Sequence, residues 1–125
     1  MRHKERRMSD IRITLRDKEF ALVPTFEALE RLEAASNRSV FDMFGDVLNA
    51  KPLKLGEVVS IIAYSAQTMG QMPDWWSRSA VGAEVCKQGI HSFYGLTAKW
   101  ITTACMAAPE TRLTQAKESD AEKKD

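Results

Sequence analysis

The residues able to do chemistry are few in this chain and poorly spaced for it. Cys86, His91 and Cys105 are the donor types of a structural zinc site. Cys86 and His91 stand five apart, however, and neither C-x-x-C nor H-x-x-x-H occurs, so the paired spacing such sites use is missing. A nucleophile needs a base beside it. Ser60, Ser65, Ser77 and Ser79 sit in no G-x-S-x-G pattern, which is the elbow that exposes a catalytic serine. His91 is the one histidine of the region expected to fold, since His3 lies in a charged leader. The six glycines are scattered singly, so no phosphate-cradling loop is formed. Glu27, Glu30 and Glu33 recur on the polar side of a helical pattern, and a solvated helix face explains them. The expectation is a protein that is not an enzyme and holds no metal or cofactor.

Size and charge narrow the classes further. At 125 residues and 14.1 kDa the chain makes one domain at most. Residues 1–7, MRHKERR, hold Arg2, Lys4, Arg6 and Arg7 against Glu5, a local charge of +3 within a total of +1. The remainder is therefore slightly acidic, a poor footprint for nucleic acid. The segment RSAVGAEVCKQGI carries only Arg78 and Lys87, too few for a recognition helix. No apolar run reaches the roughly 18 residues of a membrane span, and no secretory pattern follows the basic start. MSDIRITL from Met8 reads as a start in its own right. Cys86 and Cys105 are expected to be reduced, buried thiols in a cytoplasmic protein.

The elements that position everything else change period at Pro24. Ile11, Ile13 and Leu15 alternate with Arg12, Thr14 and Arg16, the pattern of a half-buried strand. Asp17-Lys18 is the expected turn, and Phe20 and Leu22 resume the alternation on a second strand. A bare two-stranded hairpin is marginal in water, so it must lie on an apolar surface or be paired by another chain. After Pro24-Thr25 a helix is expected with Phe26, Leu29 and Leu32 inward and Glu27, Glu30, Arg31 and Glu33 outward. SNRS at 36–39 breaks it and caps the next helix, whose stripe is Val40, Phe41, Phe44, Val47 and Leu48.

Residues 57–69 are apolar nearly all round and predict the central buried helix. Asp74 is the expected cap of a helix through Val81 and Val85, ended by Gly89. Phe93, Leu96, Trp100, Ile101, Ala104 and Cys105 form the stripe of a last helix that ends before Pro109. The fold class expected is α+β, mainly α: an N-terminal β-hairpin followed by a bundle of four or five helices. A basic flexible leader (1–9) precedes one domain (10–109), and a polar, disordered tail (110–125) follows.

One loop stands out. Trp75-Trp76 lie beside Met69, Met72 and Pro73. Adjacent rings do not easily face one core, so one tryptophan is expected to plug the bundle while the other, with Met72, forms an exposed anchor of the kind found at interfaces.

The stretch Leu22-Val23-Pro24-Thr25-Phe26-Glu27-Ala28-Leu29, followed by Leu32-Glu33, resembles the small tail proteins of gene transfer agents and related siphophages, a family of tail-assembly-chaperone type. VFDMFGDVLNAKPLKLGEVVSIIAYSAQ and VGAEVCKQGIHSFYGLTAKWITTAC are similar in layout, so the resemblance covers roughly residues 11–108. It implies a non-enzymatic role in building a phage, prophage or gene-transfer-agent tail, by binding the tape-measure protein or tail tube subunits. Self-association is implied too, with no small-molecule substrate and no membrane. The place of action would be the bacterial cytoplasm during assembly, or the virion tail. The partner-binding residues to expect are then Ile13, Leu15, Phe20 and Leu22 of the hairpin and Met72, Trp75 and Trp76 of the loop. A small helical DNA-binding or regulatory module is the alternative reading of the same pattern of short helices.

Overall fold

The alternation over residues 11–22 does produce a hairpin. In the computed structural model, which describes residues 11–70 and 72–106, β1 (Arg12–Leu15) and β2 (Lys18–Ala21) pair antiparallel, with Ile13 opposite Phe20 and Leu15 opposite Lys18. The turn is Arg16-Asp17, one residue earlier than expected, and both residues are left-handed, φ 50° and 64°. Two-residue hairpin turns need that conformation because it matches the strand twist. Asp tolerates it better than most residues. The expectations for the leader at 1–9 and the tail at 110–125 lie outside the described residues.

Five α-helices follow, so the architecture is α+β and mainly helical. α1 (Phe26–Ser36) opens where the Thr25 hydroxyl accepts the Ala28 N–H, and closes at left-handed Asn37. α2 (Val40–Leu48) is capped by Ser39, which accepts from Phe41 and Asp42. The Glu33 carboxylate accepts the Val40 N–H at 2.8 Å, so it joins α1 to α2 and is only half-exposed, where a water-facing position was expected. α3 (Leu55–Thr68) begins at Lys54, whose N–H is accepted by the Glu57 carboxylate at 3.0 Å. α4 (Arg78–Gln88) is capped by Ser77. The expected cap, Asp74, instead sits inside a turn closed by Trp76 N–H to Pro73 C=O. Gly89, at φ 99°, ends α4 and leads into a 3-10 turn, Ile90–Phe93, continuous with α5 (Tyr94–Met106).

α3 is the centre, with nine buried residues. α1 runs antiparallel to it: the Thr25 and Thr68 hydroxyls share a hydrogen bond of 2.8 Å at one end, and Arg38, just past α1, reaches Glu57 at the other. α2 packs on α5. The hairpin lies on the bundle with Ile11, Ile13, Leu15, Phe20 and Leu22 at 5% exposure or less. Burying each such side chain is worth about 2 kcal/mol, which is what a bare hairpin lacks.

Two stripes differ from expectation. Phe26, expected inward, is 74% exposed, while Ala28 and Leu32 take the buried positions of α1. On α2, Val40 and Met43 are buried and Phe44 and Val47 half-buried, whereas Phe41 and Leu48 face solvent. The sequence stripe is wider than the surface available to cover it, because a nine-residue helix on α5 buries one line of side chains.

Candidate partner-binding surfaces

The two expected contact regions come out differently. Ile13, Leu15, Phe20 and Leu22 are core residues, so the hairpin offers a partner none of these side chains; its apolar face is consumed by its own bundle. Its outer face carries Arg12 and Thr14 opposite Ala21 and Glu19, while Lys18, opposite Leu15, reaches over the Phe20 ring. The Thr14 carbonyl already accepts from the Gln88 amide at 3.0 Å.

The tryptophan loop divides by depth. Trp76 is 8% exposed, donates its indole N–H to the Ala63 carbonyl at 3.2 Å and lies 4.6 Å from the Phe20 ring. It is the plug. Trp75 is half-buried, 5.2 Å from Trp76, with the Arg16 guanidinium 4.2 Å above its ring. Arg16 also donates to buried Glu84 at 2.8 Å, and that hydrogen bond holds the Glu84 carboxyl below its ordinary range. One arginine thus ties the hairpin turn to both the loop and α4. Met72 alone of the seven is clearly exposed, at 52%.

Polar groups cluster at the start of α3, where sequence spacing gave no warning. Arg38 donates twice to Glu57, at 2.6 and 2.9 Å, and pairs with Asp46 at 2.8 Å. Burial alone would push the Glu57 carboxyl up, but the Arg38 hydrogen bonds and the Lys54 N–H outweigh it and hold the group below its ordinary value. Arg38 is raised in turn, chiefly by its bond to Glu57. Every charge in this cluster is matched, which is the arrangement of a structural clamp. Arg78 stands nearby, donating to the Ser60 hydroxyl and the Gly56 carbonyl.

Among the described residues no three His, Cys, Asp or Glu side chains come together as metal ligands. Both cysteines are free; Cys86 is exposed, against expectation, and burial pushes the half-buried Cys105 thiol up. No helix of the described residues is long and apolar enough to cross a membrane.

What remains are two surfaces at opposite ends of α3. At its C-terminal end the Thr25–Thr68 hydroxyl pair brings the start of α1 to the end of α3; Phe26 and Met69 follow those two residues in the chain and Met72 comes soon after, and they are 74%, 42% and 52% exposed. Glu27, Glu30 and Asp74, near them in sequence, are all exposed. At the other end, a cleft of about 310 Å³ opens between the α2–α3 connection and the start of α5. Val47, Pro52, Leu53, Tyr94 and Ala98 line it together with Lys51 and His91, whose ring is edge-on to Tyr94 at 6.0 Å. Neither surface was legible beforehand except for Met72. The signal available was Met69 and Met72 bracketing a glycine just past the central helix. Comparison with protein-family models, with curated proteins and with solved structures gave no match.

Proposed function

We propose that the protein is a non-enzymatic tail-assembly protein of phage, prophage or gene-transfer-agent type, acting in the bacterial cytoplasm by covering the tape-measure protein or tail tube subunits. The observation that carries this reading is the amount of large apolar side chain left in water beside a filled core: Phe26, Phe41, Leu48, Leu55, Met69 and Met72 are all more than 40% exposed. Exposed apolar side chains that lie side by side mark surfaces used for protein contact. The PTFEALERLE segment supports it from the sequence side, and Phe26 of that segment is the most exposed of the six.

Covering a partner reversibly needs apolar anchors with a polar surround and no bond-making groups. Phe26, Met69 and Met72, with Glu27, Glu30 and Asp74 close to them in sequence, have that composition. The test is co-purification of the tagged full chain with fragments of a phage tape-measure protein and with tail tube subunits. Capture by the intact protein and loss with Phe26→Ser is expected. Failure to retain any tape-measure or tail tube fragment would overturn the reading.

A further inference from the structure

The cleft between the α2–α3 connection and α5 departs from what the fold needs on both of its sides. α2 ends in a Schellman turn: the Ala50 N–H donates to the Val47 carbonyl at 3.1 Å and the Lys51 N–H to the Asp46 carbonyl at 2.8 Å. The left-handed residue of such a turn is normally glycine, which has no Cβ to strain. Here it is Ala50, at φ 58°, and Ala50 lines one side of the cleft. Gly95 lines the other side, inside the continuous helical stretch of residues 90–106. Its φ is not left-handed, and a Cβ there would meet nothing within 4 Å. Neither conformation nor packing excludes alanine at 95, and alanine favours a helix over glycine.

Each choice is the less stable one for its own backbone, and the two meet at one place. A side chain stands where the turn prefers none, and none stands where the helix prefers one. Local rules broken in this way mark positions set by a site rather than by the fold. The cleft measures about 310 Å³, at the lower end of the roughly 300–1,000 Å³ of small-molecule sites. Its lining is apolar apart from Lys51, His91 and Tyr94, and it holds no carboxylate. Lys51 has no carboxylate partner among the described residues. We propose that this cleft binds a small apolar carboxylic acid, with its ring or short chain over Gly95 and its carboxylate at the Lys51 ammonium. Apolar walls take the hydrocarbon body, and the one uncompensated ammonium takes one negative charge. The site lies apart from Phe26, Met69 and Met72, and it does not rest on the proposed tail-assembly role.

Titration of the isotope-labelled full chain with phenylacetate, hexanoate and phenylacetamide tests it, read by NMR at the Gly95 and Ala98 amides. Either acid should shift those resonances to saturation. Phenylacetamide, which keeps the ring and lacks the charge, should bind about tenfold more weakly than phenylacetate. Lys51→Gln should weaken both acids about tenfold and abolish the preference over the amide. Its melting temperature should be unchanged, because the Lys51 side chain is exposed.

Gly95→Leu separates the site from the fold. The new side chain enters open space in a helix, so it should raise the melting temperature by about 4 °C. It should also weaken all three probes by about tenfold or more, since it fills the room they need. The proposal is overturned if neither acid shifts the cleft resonances, or if the acids bind no better than the amide. It is equally overturned if Lys51→Gln keeps the preference or if Gly95→Leu binds as the parent does. A Gly95→Leu chain that melts well below the parent would sink it too, because the glycine would then serve the fold.

Discussion

The two ends of α3 solve opposite problems. At the N-terminal end, Arg38, Asp46 and Glu57 satisfy one another, and Glu57 also accepts the N–H of Lys54, the residue that caps the helix. At the C-terminal end, Phe26, Met69 and Met72 stand in water, while Trp76, four residues after Met72, is buried. The first arrangement is closed: nothing is left for a partner, and removing one member strands a charge. The second is layered, with an anchor below that holds the fold and a surface above that the fold does not need. Buried anchors and exposed apolar side chains are thus different residues, sometimes a few positions apart in the same loop, as Trp76 and Met72 are.

The layering breaks if Trp76 and Met72 prove interchangeable. Trp76→Ala should cost about 4 kcal/mol, since it removes a buried ring and its hydrogen bond, and should lower the melting temperature by about 20 °C for a domain this size. Calorimetry or denaturant melts read it directly. Met72→Ala should leave the same melts nearly unchanged.

The clamp is tested by Arg38→Ala, which leaves Glu57 buried and uncompensated and should cost about 3 kcal/mol at neutral pH. Its pH dependence sharpens the point. Because the folded-state value of Glu57 is depressed, its stabilising contribution is present above the ordinary carboxylate range and is lost as pH falls through the depressed value. Without Arg38 the carboxyl is governed by burial and prefers the neutral form. The gap between wild type and variant should therefore narrow on acidification. A gap that stays constant from neutral pH to pH 4 would show that Glu57 is not the group responsible.

Two smaller effects separate backbone from surface. Asp17→Gly places glycine at a left-handed turn position, φ 64°, and should stabilise the hairpin by about 0.5 kcal/mol. Phe26→Ser should change stability by no more than about 0.5 kcal/mol while abolishing partner capture. Loss of capture with a matching loss of fold would collapse the distinction between the two ends.

Local pattern carried the fold a long way. Alternation placed both strands, the near-continuous apolar run placed α3, and Ser39 was recognisable as a cap. The turn slipped by one residue because Arg16-Asp17 has no glycine to mark it. Asp74 and Ser77 are both good caps by type, and the Pro73–Trp76 turn decides between them. The contact surfaces were harder. Phe26 fits an inward stripe by spacing, but it stands at the first residue of α1, where the neighbouring helix has already ended. The Arg38–Glu57 pair spans nineteen positions and depends on α1 and α3 running antiparallel, which periodicity does not encode. Trp76 was legible as the buried ring of the pair, but Trp75, expected as an exposed anchor, is half-buried against Trp76 beneath Arg16.

That stacked pair has a further use. Two indoles 5.2 Å apart and inclined at 50° couple their electronic transitions, so together they give a circular dichroism couplet that neither ring gives alone. One of them is gripped by the hairpin turn through Arg16, and the loop holding both leads down from Met72. The molecule therefore carries its own optical gauge: a change in how the hairpin rides on the bundle, or in how that loop is held when something docks beside it, registers as a change in the couplet with no label attached.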